Sequence, residues 1–235
     1  MTKKEKRERL SLVEKELEAL YPDAVCSLEY DGDPWKLLVM GRLSAQCTDE
    51  RVNIVCRELF RQFPTPESLA YGDISKIEDL VKPCGLYRMK AKSIKEASQR
   101  LVEDFGGILP DTMEELLTFS GVGRKIANLL LGDVFHKQAI VTDTHCIRIC
   151  GRFGMYPESE KNPYKIEKIL TPLATPETSS DLCHRLVLFG REICSARSPK
   201  CDSCHIGKKG LCENYNKKMK KLLKSEENQN GKADN

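Results

Sequence analysis

At 235 residues the chain can bury the core of one large domain or two small ones. A composition that is 40% hydrophobic, 31% charged and 6% aromatic describes a soluble, helix-rich protein, and no apolar run approaches the roughly 20 residues of a membrane-spanning helix. The net charge of +3 is unevenly spread: residues 1–10 carry five Lys/Arg against two Glu and residues 191–224 carry ten against three acids, so the chain between them is net acidic. Such basic runs are solvated surface in most proteins and nucleic-acid surface in some.

The opening MTKKEKRERLSLVEKELEAL has neither an apolar core segment nor a small-residue cleavage site, so no targeting peptide is expected and the chain is read as cytoplasmic. Helical periodicity follows. Val52, Val55, Cys56, Leu59 and Phe60 recur at three- and four-residue spacing, as do Ile94, Ala97, Leu101 and Phe105, then Ile126, Ala127, Leu130, Leu131 and Val134. Thr65-Pro66, Asp111 with Glu114, and Asn162-Pro163 are helix-start signals. About ten helices and no strand are predicted, ending in a loose polar and basic tail over 216–235.

Between the segment 112–119 and the helix from about 123 lies Ser120-Gly121-Val122-Gly123-Arg124-Lys125. Two glycines one residue apart let the backbone turn tightly, and the amides at the following helix start point outward toward an anion. A plain interhelical turn has the same pattern. Lys125, beside Arg124 in the first turn of that helix, adds a candidate amine nucleophile. Further along, Val141-Thr142-Asp143-Thr144-His145 sets Asp143 as a helix cap, and a carboxylate facing an amine across a cleft suits nucleophile activation and stabilisation of a cationic transition state.

Of eleven cysteines, Cys26, Cys47, Cys56, Cys84, Cys146, Cys150 and Cys183 are scattered through apolar stretches and read as small core residues. The other four, Cys194, Cys201, Cys204 and Cys212, form C-x6-C-x2-C-x7-C. Four thiolates at such spacing suit zinc or an iron–sulfur cubane, and a single C-x2-C favours the cubane. His205 is read as a surface residue.

Taken in order, Leu43-Ser44-Ala45-Gln46-Cys47-Thr48-Asp49, Cys84-Gly85-Leu86-Tyr87, Gly121-Val122-Gly123-Arg124-Lys125, Thr142-Asp143-Thr144-His145 and the four cysteines resemble the endonuclease III family of DNA glycosylases and abasic-site lyases. The resemblance, over about 30–215, implies an all-α, two-lobed helix-hairpin-helix glycosylase fold with an iron–sulfur cluster loop. A helical barrel over 27–138 would carry the hairpin, and 1–26 with 139–215 would form the cluster domain. It implies Lys125 and Asp143 as catalytic residues; Gln46, Leu86, Gly121, Val122, Gly123, Arg124 and His145 as DNA contacts; and Cys194, Cys201, Cys204 and Cys212 as ligands of a [4Fe–4S] cluster. The implied partner is double-stranded DNA with damaged bases or abasic sites, bound by a monomer associated with a prokaryotic nucleoid. The implied reaction removes an oxidised pyrimidine and nicks the strand by β-elimination through a lysine Schiff base. A monofunctional mismatch glycosylase and a non-catalytic iron–sulfur DNA-binding protein are the alternatives.

Three positions depart from the family pattern. The last cysteine gap is longer, owing to a Gly/Lys-rich loop over His205 to Leu211; Phe119-Ser120 stands where the family commonly has Leu-Pro; and Arg42 replaces an apolar residue.

Overall fold

The computed structural model describes residues 1–230, with side chains described as far as Leu223. The chain divides into two units, Cys26–Val141 and a second composed of Met1–Val25 with the chain from Thr142 onward. Thirteen α-helices and three short 3₁₀ turns make up the described residues, with no strand among them. Three of the α-helices span only four or five residues, and these short turns account for the excess over the ten expected. In chain order, α1 (Lys3–Leu20) belongs to the second unit, and α2 (Pro34–Leu43), α3 (Asp49–Gln62), α4 (Pro66–Ala70), α5 (Ile74–Val81), α6 (Tyr87–Phe105), α7 (Met113–Leu116) and α8 (Arg124–Asp133) build the first.

The first unit closes round an apolar core that includes Leu37, Leu43, Val52, Leu59, Ile77, Ile94, Leu101 and Leu130. Side-chain caps fix where its helices begin: Asp33 accepts from the Trp35 and Lys36 amides, Thr48 from Arg51, and Thr65 from Ser68. One expected cap is shifted. Thr112, rather than Asp111, starts α7, accepting from the Glu115 amide and donating to the Glu115 carboxylate at 2.6 Å. The Asp111 carboxylate is held instead by Lys137 Nζ, also at 2.6 Å.

The second unit continues with α9 (Thr144–Phe153), α10 (Pro163–Leu170), α11 (Ser179–Glu192), α12 (His205–Lys208) and α13 (Glu213–Asn230). Leu10, Val13 and Leu17 of α1 are fully buried, and Phe153 meets Phe189 with ring centroids 6.1 Å apart. Glu14, also buried, accepts from the Thr175 amide at 3.1 Å and hydroxyl at 2.6 Å. The expected loose tail is corrected over 216–230, which continues as α13. Its lysines and leucines are good helix formers, Lys217 pairs with Glu213 one turn earlier at 2.7 Å, and the Tyr215 ring lies against Gly207. Residues 231–235 of that tail lie outside the described residues.

Candidate active site and cluster loop

In the first unit the hairpin follows from local chemistry. The Val122 amide donates to the Phe119 carbonyl at 3.1 Å to close the turn, Gly121 takes a φ of +76°, and Gly123 caps α8. A Cβ on Gly121 would overlap the Arg42 side chain and lie 3.1 Å from Ser93 Cβ, so glycine is needed here for space as well as for conformation. The two hairpin departures are compensated: Phe119 stacks on Phe105 with centroids 5.3 Å apart, and the Ser120 hydroxyl donates to Glu96 at 2.7 Å, anchoring the turn to α6 without a proline. Arg42, the third departure, threads beneath Gly121. Its Nε is buried and lacks a hydrogen-bond partner, and burial pushes its pKa below the ordinary arginine value.

Val122 is buried and Arg124 half-buried, whereas Lys125, in the first turn of α8, is exposed. Gln46 and Leu86 are also exposed, and both adopt left-handed backbone, at φ +55° and +49°. That conformation is costly for a side chain with a Cβ and persists only where surrounding structure imposes it. Leu86 leaves 53% of its surface exposed, so it is no core leucine.

In the second unit Asp143 caps α9. Its Oδ1 accepts from the Cys146 amide at 2.7 Å and its Oδ2 lies 3.0 Å from His145 Nδ1, which turns the ring toward the carboxylate. Arg148, one turn on, donates to the carbonyls of Thr144 and Cys194.

The four cysteines line one recess, open at its mouth, with Phe153, Phe189 and Ile193 in its wall. All four are free thiols. Cys194, Cys204 and Cys212 are buried and Cys201 is half-buried. Three of the sulfurs already accept hydrogen bonds: Cys194 from Arg152 Nη1 at 3.2 Å, Cys204 from the Gly207 amide at 3.3 Å, and Cys212 from the Tyr215 amide at 3.4 Å. Donors aimed at sulfur stabilise thiolate, so the donor set fits a thiolate-bound metal group. The segment expected as a longer loop is corrected in part: His205–Lys208 forms the helical turn α12, capped by Cys204, and Gly210 turns the chain back at φ +74°. A short helix thus absorbs the extra residues of the last cysteine gap. His205 is on the surface, 3.4 Å from Glu16.

Sequence reasoning missed two residues. Arg152 donates to Cys194 Sγ and to the carbonyls of Ser195 and Ala196, gathering the start of the cysteine loop. Lys90 is fully buried, although its place on the apolar stripe with Ile94, Ala97 and Leu101 was a readable signal.

The fold and hairpin are those of a helix-hairpin-helix repair protein: the family "HhH-GPD superfamily base excision DNA repair protein" matches residues 39–176. Endonuclease III of Synechocystis sp. is 42% identical over 206 residues, covering 87% of this chain and 91% of the relative, and that of Bacillus subtilis is 38% identical over 204 residues with the same coverage. Among solved structures, a trapped endonuclease III–DNA covalent intermediate superposes with a TM-score of 0.83 at 34% identity, covering 93% of this chain and 99% of the other. The chain belongs to the endonuclease III family of DNA glycosylases and abasic-site lyases within the HhH-GPD superfamily. No helix among the described residues is long and apolar enough to cross a membrane.

Proposed function

We propose that this protein removes oxidised pyrimidines from duplex DNA and nicks the resulting site, with Lys125 as nucleophile and Asp143 as its electrostatic partner. The observation that carries the reading is an exposed lysine in the first turn of α8, directly behind a two-glycine hairpin, in a chain 34% identical to one solved as a covalent protein–DNA intermediate.

The amine of Lys125 adds to C1′ of an extruded nucleotide, the glycosidic bond breaks and the base departs with its electron pair. The Asp143 carboxylate stabilises the positive charge that develops on the sugar and helps remove the lysine proton. Ring opening gives a Schiff base; loss of a C2′ proton then expels the 3′ phosphate by β-elimination. The hairpin amides around Gly121, Val122, Gly123 and Arg124 hold a phosphate without reading sequence. Gln46 and Leu86 fill the space left by the extruded nucleotide, and His145, beside Asp143, contacts the DNA. The protein works on DNA in the bacterial nucleoid.

Cys194, Cys201, Cys204 and Cys212 would hold a [4Fe–4S] cluster, which supplies a rigid thiolate-bound core for the basic loop. Arg197, Lys200, Lys208 and Lys209 on that loop lend salt-dependent affinity for phosphates.

The test is single-turnover base release and strand nicking on a duplex carrying one oxidised pyrimidine. Lys125→Ala is expected to lose both, with stability and DNA affinity retained. Base release that persists without nicking in the wild type supports a monofunctional glycosylase; binding with neither activity supports a non-catalytic DNA-binding protein. Purified protein is expected to be yellow-brown with about four iron per chain.

A further inference from the structure

Lys90 Nζ donates to the Leu43 carbonyl and to the Cys84 carbonyl, each at 2.8 Å. Leu43 ends α2 and Cys84 ends a 3₁₀ turn, so these oxygens lie where helix carbonyls lack partners within the helix. A cation is favoured at such an end. The two oxygens are also within two hydrogen-bond lengths of each other, through one nitrogen. Three residues after Leu43 comes Gln46, and two after Cys84 comes Leu86, the two exposed side chains with left-handed backbone. Lys90 itself sits on α6, which starts at Tyr87 immediately after Leu86.

An ammonium with no exposed surface is retained against a large desolvation penalty, and a leucine or methionine would fill the same volume in a core without it. What the ammonium holds offsets that penalty: two segments distant in sequence, tied by its two hydrogen bonds and by a side-chain contact between Cys47 and Cys84. We propose that Lys90 is a positioning residue for nucleotide extrusion, fixing the Gln46 and Leu86 loops relative to each other so that both side chains enter the duplex together. This rests on the reading of Gln46 and Leu86 as inserting residues. Lys90 touches neither the DNA nor the reacting atoms.

The experiment compares wild type with Lys90→Met on two substrates: a duplex with one paired oxidised pyrimidine, and the same lesion in an unpaired bubble that needs no extrusion. A fluorescent adenine analogue opposite the lesion reports unstacking in the paired duplex. The expected result is that unstacking and base release in the paired duplex slow by about tenfold, while release from the bubble stays within about twofold. Equal losses on both substrates would show that Lys90 serves folding or chemistry alone, and unchanged rates on the paired duplex would show that the loops need no such tie; either overturns the proposal. Should Lys90→Met fail to fold, Lys90→Gln, too short to span both carbonyls, is held to the same outcomes. Gln46→Ala combined with Leu86→Ala separates the two readings: if that pair leaves the paired-duplex rate unchanged, the insertion reading itself falls, whatever Lys90 does.

Discussion

The Asp143 carboxylate faces the His145 ring, with Oδ2 3.0 Å from Nδ1, while its other oxygen caps α9 through the Cys146 amide. One side chain therefore carries a structural and an electrostatic duty, and substitutions separate them. Asparagine keeps a capping oxygen and removes the charge, so Asp143→Asn is expected to change stability by less than about 0.5 kcal/mol and to slow base release by about 100-fold or more. Asp143→Ala loses the cap as well and is expected to cost about 1 kcal/mol in stability. Thermal melts and single-turnover rates on both variants check this; a fully active Asp143→Asn contradicts the charge role.

The hairpin makes a second prediction through Gly121 and Arg42. Gly121→Ala combines a left-handed backbone with an overlap on the Arg42 side chain, and is expected to cost about 1–2 kcal/mol and to weaken DNA binding. Arg42→Leu removes a buried Nε that has no partner and is expected to stabilise the free protein by about 1 kcal/mol. Urea unfolding of the two variants and their combination tests both statements. A destabilised Arg42→Leu would mean that Arg42 holds the hairpin up by packing.

The thiolate site predicts the behaviour of its ligands. Cys204→Ala removes a sulfur that accepts the Gly207 amide and caps α12, so the purified variant is expected to be colourless, with iron near zero. Its affinity for undamaged DNA should fall and lose salt dependence, because the basic loop is no longer held in shape. Iron analysis and a salt titration of binding measure this. Zinc in the wild-type protein would contradict the cluster reading.

Buried thiols set an alkaline limit. Burial pushes the Cys26 thiol up to about 12 and the Cys84 thiol up to about 11, against an ordinary value of 9.0, and Cys56 is raised for the same reason. Each is held neutral in the folded chain and ionises first in the unfolded one. The stability they contribute is therefore complete below about pH 9 and lost as pH rises toward the folded values. The urea midpoint is expected to fall steadily from about pH 8.5 to pH 11; a flat profile would contradict the burial of these thiols.

Helix periods, most caps, the two-glycine hairpin and the cysteine spacing were legible in the sequence because each is set within a few residues of chain. Lys125, Asp143 and the four cysteines were singled out that way. What was not legible depends on partners far apart in sequence. The α7 cap moved to Thr112 because Lys137, 26 residues on, holds Asp111. The stretch 216–230, expected as a loose tail, continues α13 because helix propensity and the packing of that helix on α12 outweigh low apolar content. The apolar stripe of α6 points to burial of Lys90, but the Leu43 and Cys84 carbonyls that its ammonium holds come from two other segments. The hairpin departures at Phe119 and Ser120 likewise needed Phe105 and Glu96 to be understood.

Covalent catalysis by Lys125 is tested by borohydride trapping on duplex DNA carrying one oxidised pyrimidine. Reduction of the Schiff base is expected to leave a stable protein–DNA adduct with wild type and none with Lys125→Ala, and peptide mapping should locate the link at Lys125. Base release without any trapped adduct, or an adduct that survives in Lys125→Ala, would rule out Lys125 as the nucleophile.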